Sequence, residues 1–252
     1  MARRVRRLIT FAIDGTTLAG SLDEGAGTTG LLIVAGGNEV RHGAHRGMAM
    51  LAQGLAAQGT PVFRYDHRGV GDSEGENRGF AHAGDDLRAA AAAFRRAFGN
   101  CDAASLLALD GRSADVSRVL LANPWTIEQT DDLPPAAAIR AGYARQLRDP
   151  AEWRRLFGGG IDVGKAIRGL AKIVCTPSDQ GTLSRRVTDA IAGWGNDATV
   201  LLARDDNTAR AFVDAARAHT FRTQTIDTSS HSFARAADKQ ALADIVTRWL
   251  AE

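Results

Sequence analysis

Short apolar runs separated by polar, glycine-containing stretches recur along the chain. The first two, at residues 5–12 and 16–22, flank the pair Asp14-Gly15. An Asp-Gly pair between two strand-like runs is typical of a tight β-hairpin, because both residues tolerate a positive φ. The chain is therefore predicted to begin with an antiparallel hairpin.

The next two runs have the pattern of buried parallel strands. Residues 30–35 and 61–65 are almost continuously apolar, as strands covered on both faces are. Between them, residues 45–58 show helical spacing of apolar positions, and Gly59 is a helix stop signal. Strand, helix and strand in this order predict a right-handed parallel βαβ unit.

The later part of the chain continues the alternation of strands and helices. Further strands are predicted at residues 116–122, 198–203 and 221–226, and further helices at 84–96, 103–108, 208–219 and 236–250. Alternation of this kind predicts an α/β fold with a mostly parallel sheet flanked by helices.

The strand pattern is interrupted between residues 126 and 194. Helical pieces replace it, separated by a run of glycines and a polar loop; they lie at residues 136–147, 151–157 and 165–171. A helical insertion between two sheet strands is expected to form a cap over the carboxyl edge of the sheet. We therefore predict a core of residues 1–125 and 195–252 with a cap at 126–194.

A candidate nucleophile lies at residues 98–105. Gly99, Cys101 and Ala103 give the pattern small residue, nucleophile, small residue, with cysteine where serine is usual. Such an elbow is a tight strand-to-helix turn whose flanking positions need small side chains. A helix beginning at Ala103 would favour a thiolate at its positive end. The alternative is that Cys101 is a small buried apolar residue, as most free cysteines are.

The sequence leaves little room for a strand before this elbow. Fifteen positions separate Asp86 from Cys101, which is short for a helix, a loop and a strand. Either the helix is short and residues 92–98 are partly extended, or the strand is truncated.

Residues 71–75 fit the G-x-S-x-G expression letter for letter and make Ser73 a second candidate nucleophile. An elbow needs a strand directly before the nucleophile and a helix directly after it. A glycine-rich loop precedes Ser73 and a polar stretch follows it, so we interpret Ser73 as a hydroxyl that orders the loop.

Cys101, Asp206 and His231 follow one another in the order nucleophile, acid, histidine, the chain order of α/β-hydrolases. Each lies just past a predicted strand, where open α/β sheets place their sites. His231 would accept the thiol proton and Asp206 would orient the imidazole. Alternatively, Asp206 is a helix N-cap, Asp205 is the acid, or His231 is an ordinary loop residue.

The backbone N–H of Asp102 and one from the loop of Gly37 and Asn38 are predicted to bind the oxyanion. The carboxylate of Asp102 would oppose a thiolate beside it, unless it points away or pairs with an arginine.

Gly37, His45 and Arg46 are predicted to contact the substrate at the lip of the pocket. His42 and His45 are three residues apart, but no third ligand stands at zinc spacing, so no metal site is predicted. We expect no cofactor.

Composition restricts the possible partners. With 31 basic and 29 acidic residues the net charge is +2, and the arginines at positions 3–7 make nucleic-acid binding only a remote alternative. No segment reaches the ~20 apolar residues of a membrane span. Cys101 and Cys175 do not make a disulfide framework, so a cytoplasmic protein is expected.

With these residues in place, the chain resembles the α/β-hydrolases, and more narrowly the first family of exosortase A system-associated hydrolases. The resemblance covers most of the length and rests on residues 32–38, 45–46, 63–75, 100–105, 121–125 and 202–209. It departs before the elbow, where the family has a longer helix and a distinct strand. It implies an esterase-like acyl hydrolase associated with exopolysaccharide export.

The predicted reaction is acylation of Cys101 by a small-molecule ester or thioester, then attack of water assisted by His231. Since the acyl-thiol must then be cleared, acyl transfer to a hydroxyl, for example on a sugar, is one alternative. A non-catalytic binding protein with the same pocket is another.

Overall fold

The computed structural model describes residues 6–36, 38–127 and 182–252. In these ranges the strands are β1 (Arg6–Ile13), β2 (Thr16–Asp23), β3 (Leu31–Val34), β4 (Val62–Tyr65), β5 (Arg96–Asn100), β6 (Arg118–Ala122), β7 (Ala198–Ala203) and β8 (Thr223–Ile226). The α-helices are α1 (Gly47–Ala57), α2 (Gly84–Ala91), α3 (Asp102–Asp110), α4 (Thr182–Trp194), α5 (Asn207–Ala215) and α6 (Ala236–Ala251).

The strands form one sheet in the order β1-β2-β4-β3-β5-β6-β7-β8. Strands β1 and β2 are the predicted antiparallel hairpin, and β2 also pairs antiparallel with β4. Every other neighbouring pair is parallel. This sheet, with helices on its faces, confirms the predicted α/β architecture.

Two apolar layers cover the faces of the sheet. Leu120 and Leu121 are adjacent in β6, and since successive strand residues point to opposite faces, they belong to different layers. Leu121 lies with Trp194 of α4 in the layer that includes α2, α3 and α5. Leu120 lies with Trp249 of α6 in the layer that includes α1. The carboxyl edge of the sheet therefore rests on a core packed from both sides.

The segment before the elbow follows the first of the two predicted alternatives. Helix α2 ends at Ala91 instead of continuing to residue 96, and β5 follows after four residues. The ring of Phe94 stacks on Phe63 of β4, with centroids 5.6 Å apart. This contact between sequence-distant residues takes Phe94 out of the helix and leaves room for a five-residue strand.

Other element ends differ from prediction by a few residues. Helix α1 begins at Gly47, because His45 and Arg46 have positive φ values of 51° and 57°, which a right-handed helix cannot contain. Helix α5 ends at Ala215, and β8 begins at Thr223.

Most of the predicted cap lies outside the described residues, as do its helical pieces at 136–147, 151–157 and 165–171 and the cysteine at position 175. Helix α4, at the end of that range, contributes Val187, Ile191 and Trp194 to a core layer. The indole N–H of Trp194 donates to the carbonyl of Ala108 in α3 at 2.9 Å. Among the described helices, none has the length and apolar character needed to cross a membrane.

Candidate active site

Cys101 forms the junction between β5 and α3. Its backbone has φ 63° and ψ −127°, a conformation that is strained for a residue with a side chain. Hydrogen bonds hold it there: its N–H donates to the carbonyl of Ala122 at 2.9 Å, and its own carbonyl accepts from Ala104 at 3.1 Å. The surrounding sheet and helix thus fix the turn in which the thiol is presented.

The small residues around Cys101 have a geometric reason. A Cβ added at Gly99 would lie 2.8 Å from the carbonyl carbon of Ala103, which is closer than a real Cβ contact allows. Ala103 is itself almost fully buried. The helix backbone therefore passes directly over the strand, as the elbow pattern requires.

His231 lies in the loop between β8 and α6, next to both Cys101 and Asp206. Its Nδ1 is 2.9 Å from Oδ2 of Asp206. The hydrogen bond to Asp206, and after it one with the Cys101 side chain, raises the pKa of His231 to about 10, against the opposing effect of burial. Because Nδ1 faces the carboxylate, Nε2 is the ring nitrogen left for the sulfur.

Asp206 makes two contacts that the sequence left as alternatives, one as the N-cap of α5 and one with His231. Its Oδ2 accepts the N–H of Ala209 at 3.0 Å as the N-cap of α5, and the same oxygen faces His231. Burial alone would raise the pKa of Asp206, but the His231 hydrogen bond and the backbone N–H groups of α5 lower it below its usual value. Asp205 instead pairs with Arg210 at 2.5 Å, on the exposed side of the loop.

The loop after β3 lies beside the elbow. A Cβ at Gly36 would be 2.6 Å from Oδ1 of Asp102, so the carboxylate of Asp102 lies against this loop, where it also accepts the N–H of Ala103. Asn38 is exposed, and its side-chain oxygen accepts from the amide of Asn77 at 2.8 Å. Gly37, the other residue predicted for the oxyanion hole, is outside the described residues.

Glu39 is an acidic residue of this loop that sequence reasoning missed. Partial desolvation raises the pKa of Glu39, and the nearby carboxylate of Asp102 raises it further, whereas His231 lowers it. Its carboxyl group is therefore electrostatically coupled to Asp102 and His231. Its place two residues after the glycines that end β3 is a signal in the sequence.

His45 and Arg46, predicted to contact the substrate, are exposed at the turn that leads into α1. The imidazole of His42 has a lowered pKa, through desolvation first and then the positive charges of Arg41 and Arg64.

Ser73 is turned toward the β1–β2 hairpin. Its hydroxyl donates to the carbonyl of Asp66 at 2.7 Å and accepts the N–H of Ala19 at 2.9 Å. These bonds order the loop after β4, as the sequence context indicated.

A buried ion pair that the sequence analysis missed holds the β3–α1 loop. Arg41 is 6% exposed, and its guanidinium pairs with Asp66, which is fully buried. The backbone N–H of Arg41 also donates to Asp66 at 2.5 Å, and Asp72 accepts from the guanidinium at 2.7 Å. In the sequence, the residue that could have indicated this ion pair is Asp66, a charged residue directly after an apolar strand.

Two asparagines were also missed as site residues. Asn100 ends β5 and Asn123 follows β6, and the side-chain amides of both donate to the backbone carbonyl of His231. Asparagine at the carboxyl ends of two apolar strands is the signal that the sequence offers.

Comparison with known proteins shows what the fold is similar to. The sequence matches no protein-family model, and it matches no curated protein. Solved structures do match. Proline iminopeptidase from Mycobacterium smegmatis has a TM-score of 0.63 at 14% identity, over 97% of this chain and 98% of its own.

Two further solved structures are similar over nearly the whole chain. The thioesterase domain from the curacin biosynthetic pathway has a TM-score of 0.62 at 11% identity, over 96% of this chain and 99% of its own. A hydrolase from Pseudomonas aeruginosa has a TM-score of 0.60 at 21% identity, over 98% and 99%. Identities this low establish architecture only. With its mostly parallel sheet and its strand-to-helix elbow at Cys101, the chain has the α/β-hydrolase fold.

Proposed function

We propose that the protein is a hydrolase that cleaves an ester or thioester through Cys101, His231 and Asp206. One observation carries the proposal: a strained elbow presents Cys101 to an imidazole whose other nitrogen faces a carboxylate. A nucleophile, a base in hydrogen-bond range and a group that orients the base are the parts that covalent acyl transfer needs.

The charges of the site support a thiolate nucleophile. The hydrogen bond to Asp206 is the largest cause that raises the pKa of His231 to about 10, and it favours the protonated imidazole at neutral pH. A protonated imidazole beside a sulfur stabilises the thiolate form, and so does the N-terminus of α3. The proposed resting state of the site is therefore an ion pair of the Cys101 thiolate and the His231 imidazolium, with Asp206 behind it.

The proposed reaction has two stages. The thiolate attacks the carbonyl carbon and a carbon–sulfur bond forms; the bond to the leaving group then breaks, and His231 gives its proton to the departing oxygen or sulfur. In the second stage His231 takes a proton from water, the hydroxide attacks the acyl-thiol, and the acid leaves. Cys101 and His231 then return to their starting protonation states.

The remaining candidate residues are proposed to bind the oxyanion or the substrate. The oxyanion hole is proposed to be the N–H of Asp102 and an N–H from Gly37 or Asn38; Gly36, just before them, lies against Asp102 at the elbow. His45 and Arg46, exposed near the end of the same loop, are proposed as substrate contacts together with Gly37.

The choice of an acyl substrate is supported by two kinds of observation. The structural neighbours include proteins described as a thioesterase and an esterase. The resemblance to exosortase A system-associated hydrolases supports a role linked to exopolysaccharide export, and the low cysteine content supports a cytoplasmic location. The two stages use only groups of the chain and water, so the proposed chemistry needs no cofactor.

The proposal is tested by hydrolysis of a short-chain activated ester, p-nitrophenyl acetate, together with iodoacetamide alkylation of Cys101 between pH 5 and 9. We expect turnover by the wild type and by Cys175→Ala, and none by Cys101→Ala. We also expect Cys101 to react at neutral pH and to slow at least about tenfold in His231→Ala, because the imidazolium favours the thiolate.

Two results would contradict the proposal. One is equal ester turnover by the wild type and Cys101→Ala. The other is alkylation of Cys101 only around the ordinary thiol range near ~8.5, with no effect of His231→Ala. A complete lack of turnover with an inert Cys101 would favour the non-catalytic binding protein instead.

A further inference from the structure

Asn123 is a buried polar residue at the centre of the site's scaffold. It is 0% exposed, directly follows β6, and has φ 43°, a left-handed conformation that few residues other than glycine adopt. Its side-chain oxygen accepts the N–H of Ala203 in β7 at 2.8 Å. Its side-chain nitrogen donates to Asn100 at 3.1 Å and to the carbonyl of His231 at 3.3 Å.

Asn100 donates to the same carbonyl. Its Nδ2 lies 3.2 Å from the backbone oxygen of His231, while its Oδ1 accepts from Asn123. Two amides that bond to each other thus converge on one backbone oxygen. The two asparagines therefore hold the backbone of His231. Asp206 holds its imidazole ring at Nδ1.

Asn123 also reaches the strand that carries the acid. Ala203, whose N–H it accepts, is the last residue of β7, and the carbonyl of Ala203 accepts the N–H of Asp206 at 3.0 Å. One buried side chain therefore contacts the histidine loop directly and the acid loop through a single residue. The nucleophile is connected as well, because Asn100 immediately precedes Cys101.

We propose that Asn123 and Asn100 are positioning residues, which set the distance and angle of the His231 ring against the Cys101 sulfur by fixing the backbone oxygen of His231. The inference rests on the proposed function. Its physical basis is that proton exchange between the ring and the sulfur depends steeply on their alignment, and a displacement of about 1 Å can cost about a hundredfold in rate.

The test uses two variants that remove the donors in different ways. Asn123→Ala deletes the amide. Asn100→Leu keeps the approximate size of the side chain but removes the N–H group that faces His231, and it adds no charge beside Cys101. Thr199→Val is the matched control, because Thr199 is fully buried in β7 and its hydroxyl has no hydrogen-bond partner within the described chain.

The measurement is the pH profile of Cys101 alkylation by iodoacetamide, with the titration of His231 followed by NMR. We expect both asparagine variants to alkylate at least about tenfold more slowly at neutral pH, with the profile moved to higher pH. We expect Thr199→Val to match the wild type. A purely structural role would lower the melting temperature of the variants and leave the profiles where they are.

The outcomes separate this inference from the proposed function. If wild-type Cys101 is inert at neutral pH, the proposed function fails, and this inference fails with it. If the wild type reacts and the variants share its profile, the positioning role is overturned while the proposed function stands. If Asn123→Ala does not fold, Asn100→Leu decides between the two results, because Asn100 is only partly buried and leucine has about its size.

Discussion

At the scale of single residues, Asp206 combines two tasks that usually fall to different side chains. One carboxylate oxygen caps α5 and also accepts from His231. A substitution that keeps the cap and removes the charge can therefore separate the two roles. Asparagine is such a substitution, since it caps helices about as well as aspartate.

We predict that Asp206→Asn lowers the pKa of His231 from about 10 toward the ordinary histidine value, while α5 stays intact. Asp206 is the largest cause of the raised value. A raised histidine pKa stabilises the fold below the unfolded value, near ~6.5, and this stabilisation is lost as pH rises through the folded value. In Asp206→Asn this stabilisation should be lost at lower pH, because the pKa of His231 in the folded protein is lower.

NMR titration of the imidazole of His231 would measure this shift. Asp205→Asn is the control, because Asp205 pairs with Arg210 and should leave His231 unchanged. Equal titration of His231 in the two variants would show that Asp206 is not its electrostatic partner.

At this scale some features of the site could be predicted from the sequence and others could not. The strand-to-helix turn at Cys101 was predicted from Gly99 and Ala103, because the steric demands of an elbow are local and can be read from adjacent positions. The roles of Asn100 and Asn123 were not predicted. Asn123 bonds to residues 80 and 108 positions away, and no local pattern encodes such partners.

At the scale of elements, the junction of β5 and α3 depends on the absence of one side chain. Gly99 lies where the helix backbone crosses the strand. For the same strand the sequence leaves two alternatives, a short helix before it or a truncated strand. The strand has room because α2 ends at Ala91, before Phe94, whose ring stacks on Phe63 of β4.

We predict that Gly99→Ala lowers the free energy of unfolding by about 1–3 kcal/mol, since the new methyl group must displace buried backbone of α3. Gly193→Ala is the matched control. Gly193 lies within α4 with open space around its Cβ position, so alanine there should raise stability by about 0.5–1 kcal/mol. Urea unfolding would measure both, and a destabilisation of equal size in the two variants would contradict the crossing argument.

At the scale of the whole molecule, buried charge joins the hairpin, the central strands and the loops beside the site. Arg41 bonds to Ser21 of β2 at 3.0 Å, to Asp66 after β4 and to Asp72 of the following loop. Arg64 of β4 donates to the carbonyl of Arg41 at 2.8 Å. The β3–α1 loop therefore depends on polar and charged side chains from β2, from β4 and from the loop that follows β4.

We predict that Arg41→Ala destabilises the protein by about 3–5 kcal/mol, because it leaves the Asp66 carboxylate buried without its partner. Arg88→Ala removes an exposed pair with Asp85 and should cost less than about 0.5 kcal/mol. Chemical denaturation compares the two. Similar midpoints would mean that burial does not govern the cost of losing the Arg41–Asp66 pair.

The architecture itself was predictable from the sequence, because alternating apolar strands and helices restrict a chain to few topologies. The register of the central sheet was not, since it joins segments far apart along the chain. Val119 of β6 pairs with Ala198 of β7, across the range in which no strand was predicted. Composition and local periodicity carry no information on such a pairing.

That pairing has a consequence for the chain as it is made on the ribosome. Cys101 and β6 are synthesised long before the strand and the loop that bring Asp206 and His231. During that interval β6 lacks its neighbour β7 and has an unpaired edge. Its residues Val119, Leu120 and Leu121 are fully buried in the finished fold, so the incomplete chain exposes apolar surface to which chaperones bind. The growing chain carries its nucleophile without a base, so the proposed reactivity is withheld until the segment that contains His231 has been synthesised and has folded.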